Sequence, residues 1–148
     1  LLNVSTHIDD GYVIEDDLKI EIHRKINEID SKEKLVEVRK ELEDRFGRIS
    51  EDMLIYMYEE WFEKLANKVG LKRVCQTKNS IELIFPEKFV AKIKVDELFM
   101  DSYDISPSFR FLSRGSNLVI ILDIIKLEKH PIYYLTSLLD LIYHKFWG

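Results

Sequence analysis

Glu41-Leu42-Glu43-Asp44-Arg45-Phe46-Gly47 is the stretch whose reading decides the fold. At about 100° per residue, Leu35, Val38, Leu42 and Phe46 fall on one stripe, the pattern of a helix buried on one side, which starts near Asp30 or Ser31. Gly47 stands where a left-handed residue commonly stops a helix, and Arg45 in the last turn suits the negative end of the macrodipole. Asp44 does not: a carboxylate there costs a few tenths of a kcal/mol, roughly, unless something offsets it. The same wheel gathers Glu41, Asp44 and Arg45 on one flank of the stripe, with Glu41 and Arg45 at the i,i+4 spacing of an ion pair. Two readings of that flank stand side by side. It is a docking surface, or it is a solvated face whose pair contributes about 0.3–0.5 kcal/mol.

Outward from this helix, the chain reads as three helices followed by a small sheet. Residues 2 to 8 alternate as a short strand, and Asp9-Asp10-Gly11 is a turn signal. A first helix is expected from near Glu15 to Ile29, with Leu18, Ile22, Ile26 and Ile29 inward. It joins the second by a very short turn, so the two form an antiparallel hairpin. Ser50 caps a third helix whose apolar positions, Leu54, Met57, Tyr58, Trp61, Phe62, Leu65 and Val69, recur at three and four; Gly70 ends it.

Beyond Gly70 the period changes from helix to strand. Leu71 to Thr77 and Ile81 to Phe85 flank Lys78-Asn79, and Ser108 to Arg114 and Leu118 to Ile124 flank Gly115-Ser116-Asn117, giving two hairpins. Between them a short helix over Val95 to Tyr103 is expected to turn Leu98, Phe99 and Tyr103 inward, and Phe89 to Lys94 reads equally as strand or loop. A last helix begins after Pro131 and buries Ile132, Leu135, Leu138, Leu139, Ile142 and Phe146. The fold class is α+β: a helical hairpin and a long core helix with a small antiparallel sheet and a C-terminal helix.

At 148 residues, 46% hydrophobic and 33% charged, the chain is sized for a single domain. A net charge of −5 supplies no basic excess for releasing phosphate counterions, so a basic protein partner fits better than nucleic acid, and no direct nucleic-acid binding is expected. The single cysteine, Cys75, excludes an internal disulfide and fits a reducing, cytoplasmic setting. No apolar run approaches the ~20 residues that span a bilayer, so no membrane role is expected. The opening Leu1 suggests a piece of something longer. Phosphate-cradling glycine loops are missing, and His7, His23, His130 and His144 stand at no zinc spacing from one another or from Cys75. Catalysis, metal and cofactor are therefore not expected.

Tyr12-Val13, then Lys19, Ile20, Ile22, Arg24-Lys25-Ile26, Leu35 and the Glu-Leu-x-Asp-Arg-Phe-Gly of residues 41 to 47, with Val69-Gly70-Leu71 after the next helix, resemble the C-terminal domain of bacterial transcription-repair coupling factor. The resemblance runs over residues 3 to 86. It departs at Asp9, where the family has proline, at Lys19 and His23, where arginine and tyrosine are common, and at Ser50, again in place of proline.

The resemblance implies a regulatory domain of a larger protein. In that family the parent is an ATP-driven DNA translocase that engages stalled RNA polymerase and recruits UvrA through a module similar to UvrB, with ATP and Mg confined to the motor. Its C-terminal domain folds onto the UvrB-like module, hides the UvrA-binding surface and restrains the motor. Glu41, Asp44 and Arg45 match the positions that make this interdomain contact; polymerase and DNA are met by other domains. Two alternatives remain at this stage: a stand-alone acidic adaptor for another basic protein, and a small metal-dependent hydrolase using Asp9, Glu15 or Asp16.

Overall fold

The computed structural model describes residues 8, 9 and 11–148; the strand expected at the N-terminus falls on residues outside these, apart from Ile8. The chain divides into two compact units, one ending at Lys64 and the other running Leu65–Gly148.

The first unit is helical. Helix α1 (Asp16–Asn27) opens with Asp16 and Asp17 and closes with Arg24 and Lys25, both matched to the macrodipole. Helix α2 (Lys32–Phe46) starts at Ser31, whose side chain accepts from the Lys34 N–H at 3.0 Å. It packs on α1 as the expected hairpin. Ile22, Ile26, Ile29, Leu35, Val38 and Leu42 are buried, as the stripe requires, whereas Leu18 and Phe46 are only half-buried. Helix α3 (Glu51–Val69) is capped by the Ser50 hydroxyl, which accepts from Met53 N–H at 3.2 Å.

The apolar face expected for α3 is too narrow. Met53, Ile55 and Tyr56 are buried with Met57, Trp61, Phe62, Leu65 and Val69, while Leu54 and Tyr58 sit at the margin. A helix buried on most of its circumference shows no single stripe, which is why periodicity understates it. Glu59 is buried as well, at 4% exposure, and its Oε2 has no hydrogen-bond partner among the described residues. Desolvation, with Glu63 and Glu60 adding like charge, pushes its pKa up to about 7.

In the second unit, β1 (Arg73–Gln76), β2 (Ser80–Phe85), β3 (Phe109–Arg114) and β4 (Asn117–Asp123) form one antiparallel sheet in the order β1-β2-β4-β3. The two expected hairpins therefore join through β2 and β4, with Leu83 opposite Ile120. β4 occupies an interior place, and Leu118 through Leu122 are all buried, so it reads as a continuous apolar run rather than an alternation.

Register assigns the faces. Phe85 and Phe111 share one: Phe85 stacks on Phe89 of the short helix α4 (Glu87–Val90) at 4.0 Å, and Phe111 meets Phe99 of α5 (Val95–Ile105) edge-on at 5.5 Å. The other face carries buried Ile84, Val119 and Ile121 with Cys75 and Leu112 against them. There Arg114 on β3 reaches Glu82 on β2 at 3.1 Å, a path that crosses β4. Helix α6 (Pro131–Ile142) packs on α5 and continues into a π-helical turn, Tyr143–Trp147. Its N-cap is the His130 ring, whose Nδ1 accepts from the Ile132 N–H at 3.1 Å.

Three expectations are corrected in this unit. Phe89 to Lys94, open between strand and loop, contains the last residues of α4 and a turn. Phe99 and Tyr103 point outward, at 46% and 61% exposure, because the buried side of α5 carries Leu98 and the small Ser102, whose hydroxyl donates to the Phe99 carbonyl at 2.8 Å. Phe146 is half-buried, since the π-turn widens the spacing that would have carried it onto the inner stripe of α6.

The Glu59 environment fixes a sign. A carboxyl whose folded pKa lies above its unfolded value disfavours the fold once the unfolded chain has ionised, so stability falls from about pH 4.5 to about pH 7 and is flat above. Glu59→Gln should remove most of that decline and stabilise the protein at pH 8 by roughly 2–3 kcal/mol. Urea unfolding of both proteins at pH 5 and pH 8 checks this; equal slopes against pH would show that Glu59 is not the group responsible.

Candidate interaction site on the helical hairpin

The end of α2 is closed from two directions. Gly47 adopts φ 93°, open to glycine and strained for other residues, and its N–H donates to the Glu43 carbonyl at 3.0 Å. The Tyr12 hydroxyl lies 3.0 Å from the Leu42 carbonyl and 2.9 Å from that of Gly47, and donates its proton between them. Carbonyls left over at a helix C-terminus are thus satisfied by a side chain from 30 or more residues away. Tyr12 also packs on Phe46, with ring centroids 6.0 Å apart, and burial together with the Glu43 charge holds its phenol pKa above the usual value. Glu43 Oε2 accepts from the Ile49 N–H at 3.3 Å and Oε1 lies 3.6 Å from Arg39, so it belongs to the turn after the helix.

The flank named by the sequence divides into three environments. Glu41 and Arg45 do not pair with each other. Glu41 lies 3.3 Å from Lys25, and Arg45 pairs with Glu21 while its guanidinium rests on the Phe46 ring at 4.7 Å. The antiparallel hairpin sets α1 charges of opposite sign beside each of them, and two interhelix pairs replace the single i,i+4 pair. All four of these side chains remain roughly 40% exposed, so each pair contributes little to stability, about 1 kcal/mol at most.

Asp44 is different. It is exposed, stands in the last turn of α2, and has no hydrogen bond or ion pair among the described residues. It borders a shallow hollow of about 330 Å³ whose walls include Val36, Arg39, Lys40 and Tyr58. Val36, at 53% exposure and off the buried stripe of α2, gives that hollow an apolar edge.

The departure at His23 has a local explanation. Its Nδ1 lies 2.8 Å from the Tyr56 hydroxyl, which donates to Asn27 Oδ1 at 3.0 Å; with that proton committed, Nδ1 is the donor to the phenol oxygen. Burial lowers the His23 pKa and raises that of Tyr56 to about 12, so both are held neutral. The chain connects α1 to α3 and does not touch the Glu41–Arg45 flank.

Among the described residues, no three His, Cys, Asp or Glu side chains are placed to hold a metal ion, and no helix is long and apolar enough to cross a membrane. The residues that sequence reasoning missed are Tyr12, as the cap of α2, and the α1 partners Glu21 and Lys25. Only Tyr12 and Lys25 had a sequence signal, through the motif in which they stand.

Replacing Tyr12 by phenylalanine keeps the ring and deletes the proton shared by Leu42 and Gly47. The expected loss is about 1 kcal/mol of stability, read as a lower urea midpoint with unchanged slope; no change in midpoint would mean that water satisfies those carbonyls equally well.

Against curated proteins the sequence has no match. Among solved structures, the crystal structure of a C-terminal domain of transcription-repair coupling factor superposes with a TM-score of 0.80, covering 99% of this chain and 89% of that one at 20% identity, which shows a shared fold. The TRCF domain family matches residues 2–96, which include the hairpin, its capping tyrosine and the whole Glu41–Gly47 motif, and the chain belongs to that family.

Proposed function

We propose that this domain is an intramolecular inhibitor: it docks through the end of α2 on the UvrB-like module of its parent coupling factor, covers the surface that UvrA would use, and restrains the translocase motor in transcription-coupled excision repair. One observation carries the reading, an exposed Asp44 without a partner among the described residues, beside Glu41 and Arg45, which α1 already holds in place. Membership of the TRCF domain family supplies the context.

The physical logic is that of a releasable latch. Asp44 faces the negative end of the α2 dipole, and an arginine on a docked partner would offset that disadvantage through a charge-assisted, bidentate hydrogen bond. Glu41 and Arg45 are pre-positioned by Lys25 and Glu21, so little side-chain entropy remains to be lost on docking. An interface of this kind is modest by itself and draws its apparent strength from tethering within one chain. A competitor for the UvrB-like surface then needs to overcome only a small free-energy difference.

Binding of the domain to the UvrB-like module, supplied as separate proteins, tests the reading. Affinity should be about micromolar or weaker and fall with added salt. Asp44→Arg should abolish it, and Lys25→Glu, which strips Glu41 of its support while leaving Asp44 intact, should weaken it less. In the full-length parent, Asp44→Ala should raise both ATPase activity and UvrA binding. Equal binding by wild type and Asp44→Arg would remove the α2 end from the interface.

A further inference from the structure

Helix α5 carries an exposed apolar stripe that the α2 site does not use. Val95, Phe99 and Tyr103 recur at i, i+4 and i+8, with Met100 beside them, and their exposures are 37%, 46%, 61% and 66%. Half of the large exposed hydrophobic side chains among the described residues thus lie on one helix. The stripe extends onto the sheet through Phe111, which meets Phe99 edge-on. Val95 to Tyr103 covers about 12 Å along the axis, two turns of helix, a length suited to receiving a helix of similar size.

Charge around the stripe is arranged unevenly. On the far flank, Lys145 from the C-terminal π-turn lies 2.5 Å from Glu97 and 2.6 Å from Asp101, so both acids are compensated, and these pairs fix α5 against that turn. On the stripe's own side, Asp96 and Asp104 are exposed and have no cationic partner among the described residues. Asp96 accepts only the Glu97 N–H, at 3.0 Å. At about 100° per residue, Asp96 falls between Tyr103 and Met100, and Asp104 next to Met100. The apolar strip therefore carries one uncompensated carboxylate within it and a second at its Met100 edge.

We propose that this face is a second docking surface, and that its occupant is a basic amphipathic helix of a partner protein, with apolar side chains laid on Phe99, Met100 and Tyr103 and Lys or Arg set against Asp96 and Asp104. The charge pattern chooses among occupants. An anionic membrane or a nucleic-acid backbone would be repelled by the two acids. A second copy of this chain would bring the same acids and a net charge of −5 against each other. A basic helix meets both the apolar strip and the two carboxylates set in and beside it.

A fluorescein-labelled Leu/Lys amphipathic peptide of about 18 residues is the probe, titrated into ¹⁵N-labelled protein, with a scrambled peptide of identical composition and a Leu/Glu helix as controls. The expected result is amide shifts on α5 and around Phe111, at least tenfold weaker binding by both controls, and a similar loss in Asp96→Lys/Asp104→Lys. The exposed pair Met100→Ser/Tyr103→Ser, which leaves the buried side of α5 untouched, should weaken binding comparably. Equal binding of the scrambled peptide, shifts centred on the α1–α2 hairpin, or indifference to both double variants would overturn the proposal. Concentration-dependent dimerisation lost in Met100→Ser/Tyr103→Ser would overturn it in favour of self-association. Asp44→Arg should leave peptide binding unchanged, which separates this surface from the inhibitory contact.

Discussion

The Tyr12 hydroxyl, donating between the carbonyls of Leu42 and Gly47, is the contact on which the α2 site depends. A helix C-terminus ends with carbonyls that have no partner, and water or a side chain must satisfy them. Tyr12 does so from before the first helix, fixing the end of α2 to the segment that leads into α1. With that end fixed, Gly47 turns the chain away, Glu43 holds the turn through Ile49, and Asp44 is left at a defined place on the surface. The pairs from Glu41 to Lys25 and from Arg45 to Glu21 then settle two of the three flank charges. Neither pair is buried enough to stabilise the fold much, so their effect is on geometry: they hold side chains in one arrangement before a partner arrives.

The Leu65–Gly148 unit handles charge in the opposite way. On the sheet face away from α4 and α5, Arg114 is spent on Glu82 and Arg110 on Asp123, the latter bidentate at 2.8 and 3.2 Å, and the apolar patch of Ile84, Val119 and Ile121 lies among these pairs. Arg110 and Asp123 shift each other's ionisation in favour of the charged forms. On α5, Lys145 compensates Glu97 and Asp101, while Asp96 and Asp104 have no cationic partner among the described residues. The strip on α5 is flanked by carboxylates without a cationic partner among the described residues, whereas the sheet patch lies among two satisfied pairs and the exposed Arg73.

Much of this was legible. Hydrophobic spacing located α1, α2, the start and end of α3, and both hairpins within a few residues, because α1 and α2 each have one apolar face and the ends are marked locally: Ser31 and Ser50 as caps, Gly47, Gly70 and Gly115 at positive φ. Periodicity carries less where burial is not one-sided. Helix α3 is wrapped on most of its surface, so Met53, Ile55 and Glu59 are buried off the apolar spacing. Helix α5 has its small Ser102 turned inward and its aromatics turned out, the reverse of what hydrophobicity alone assigns. Within residues 41 to 47, Glu41 and Arg45 stand at i,i+4 spacing yet pair with Lys25 and Glu21 of α1 instead of with each other.

The sequence by itself determined the approximate extent of α1, α2, α3, α6 and the four strands, the α+β class, and which charges lie beside the stripe of α2, since these follow from local periodicity, capping chemistry and turn residues. Tertiary structure alone decided which of those charges are spent. Lys25 and Glu21 lie on α1, and their approach to Glu41 and Arg45 is set by how the hairpin closes, so a spacing of four within one helix could not anticipate it. In the same way Lys145, more than 40 residues from Asp101 in the chain, decides which acids of α5 stay free. An ion pair is won by the partner that packing brings nearest, and that distance is a property of the fold rather than of the residues in line.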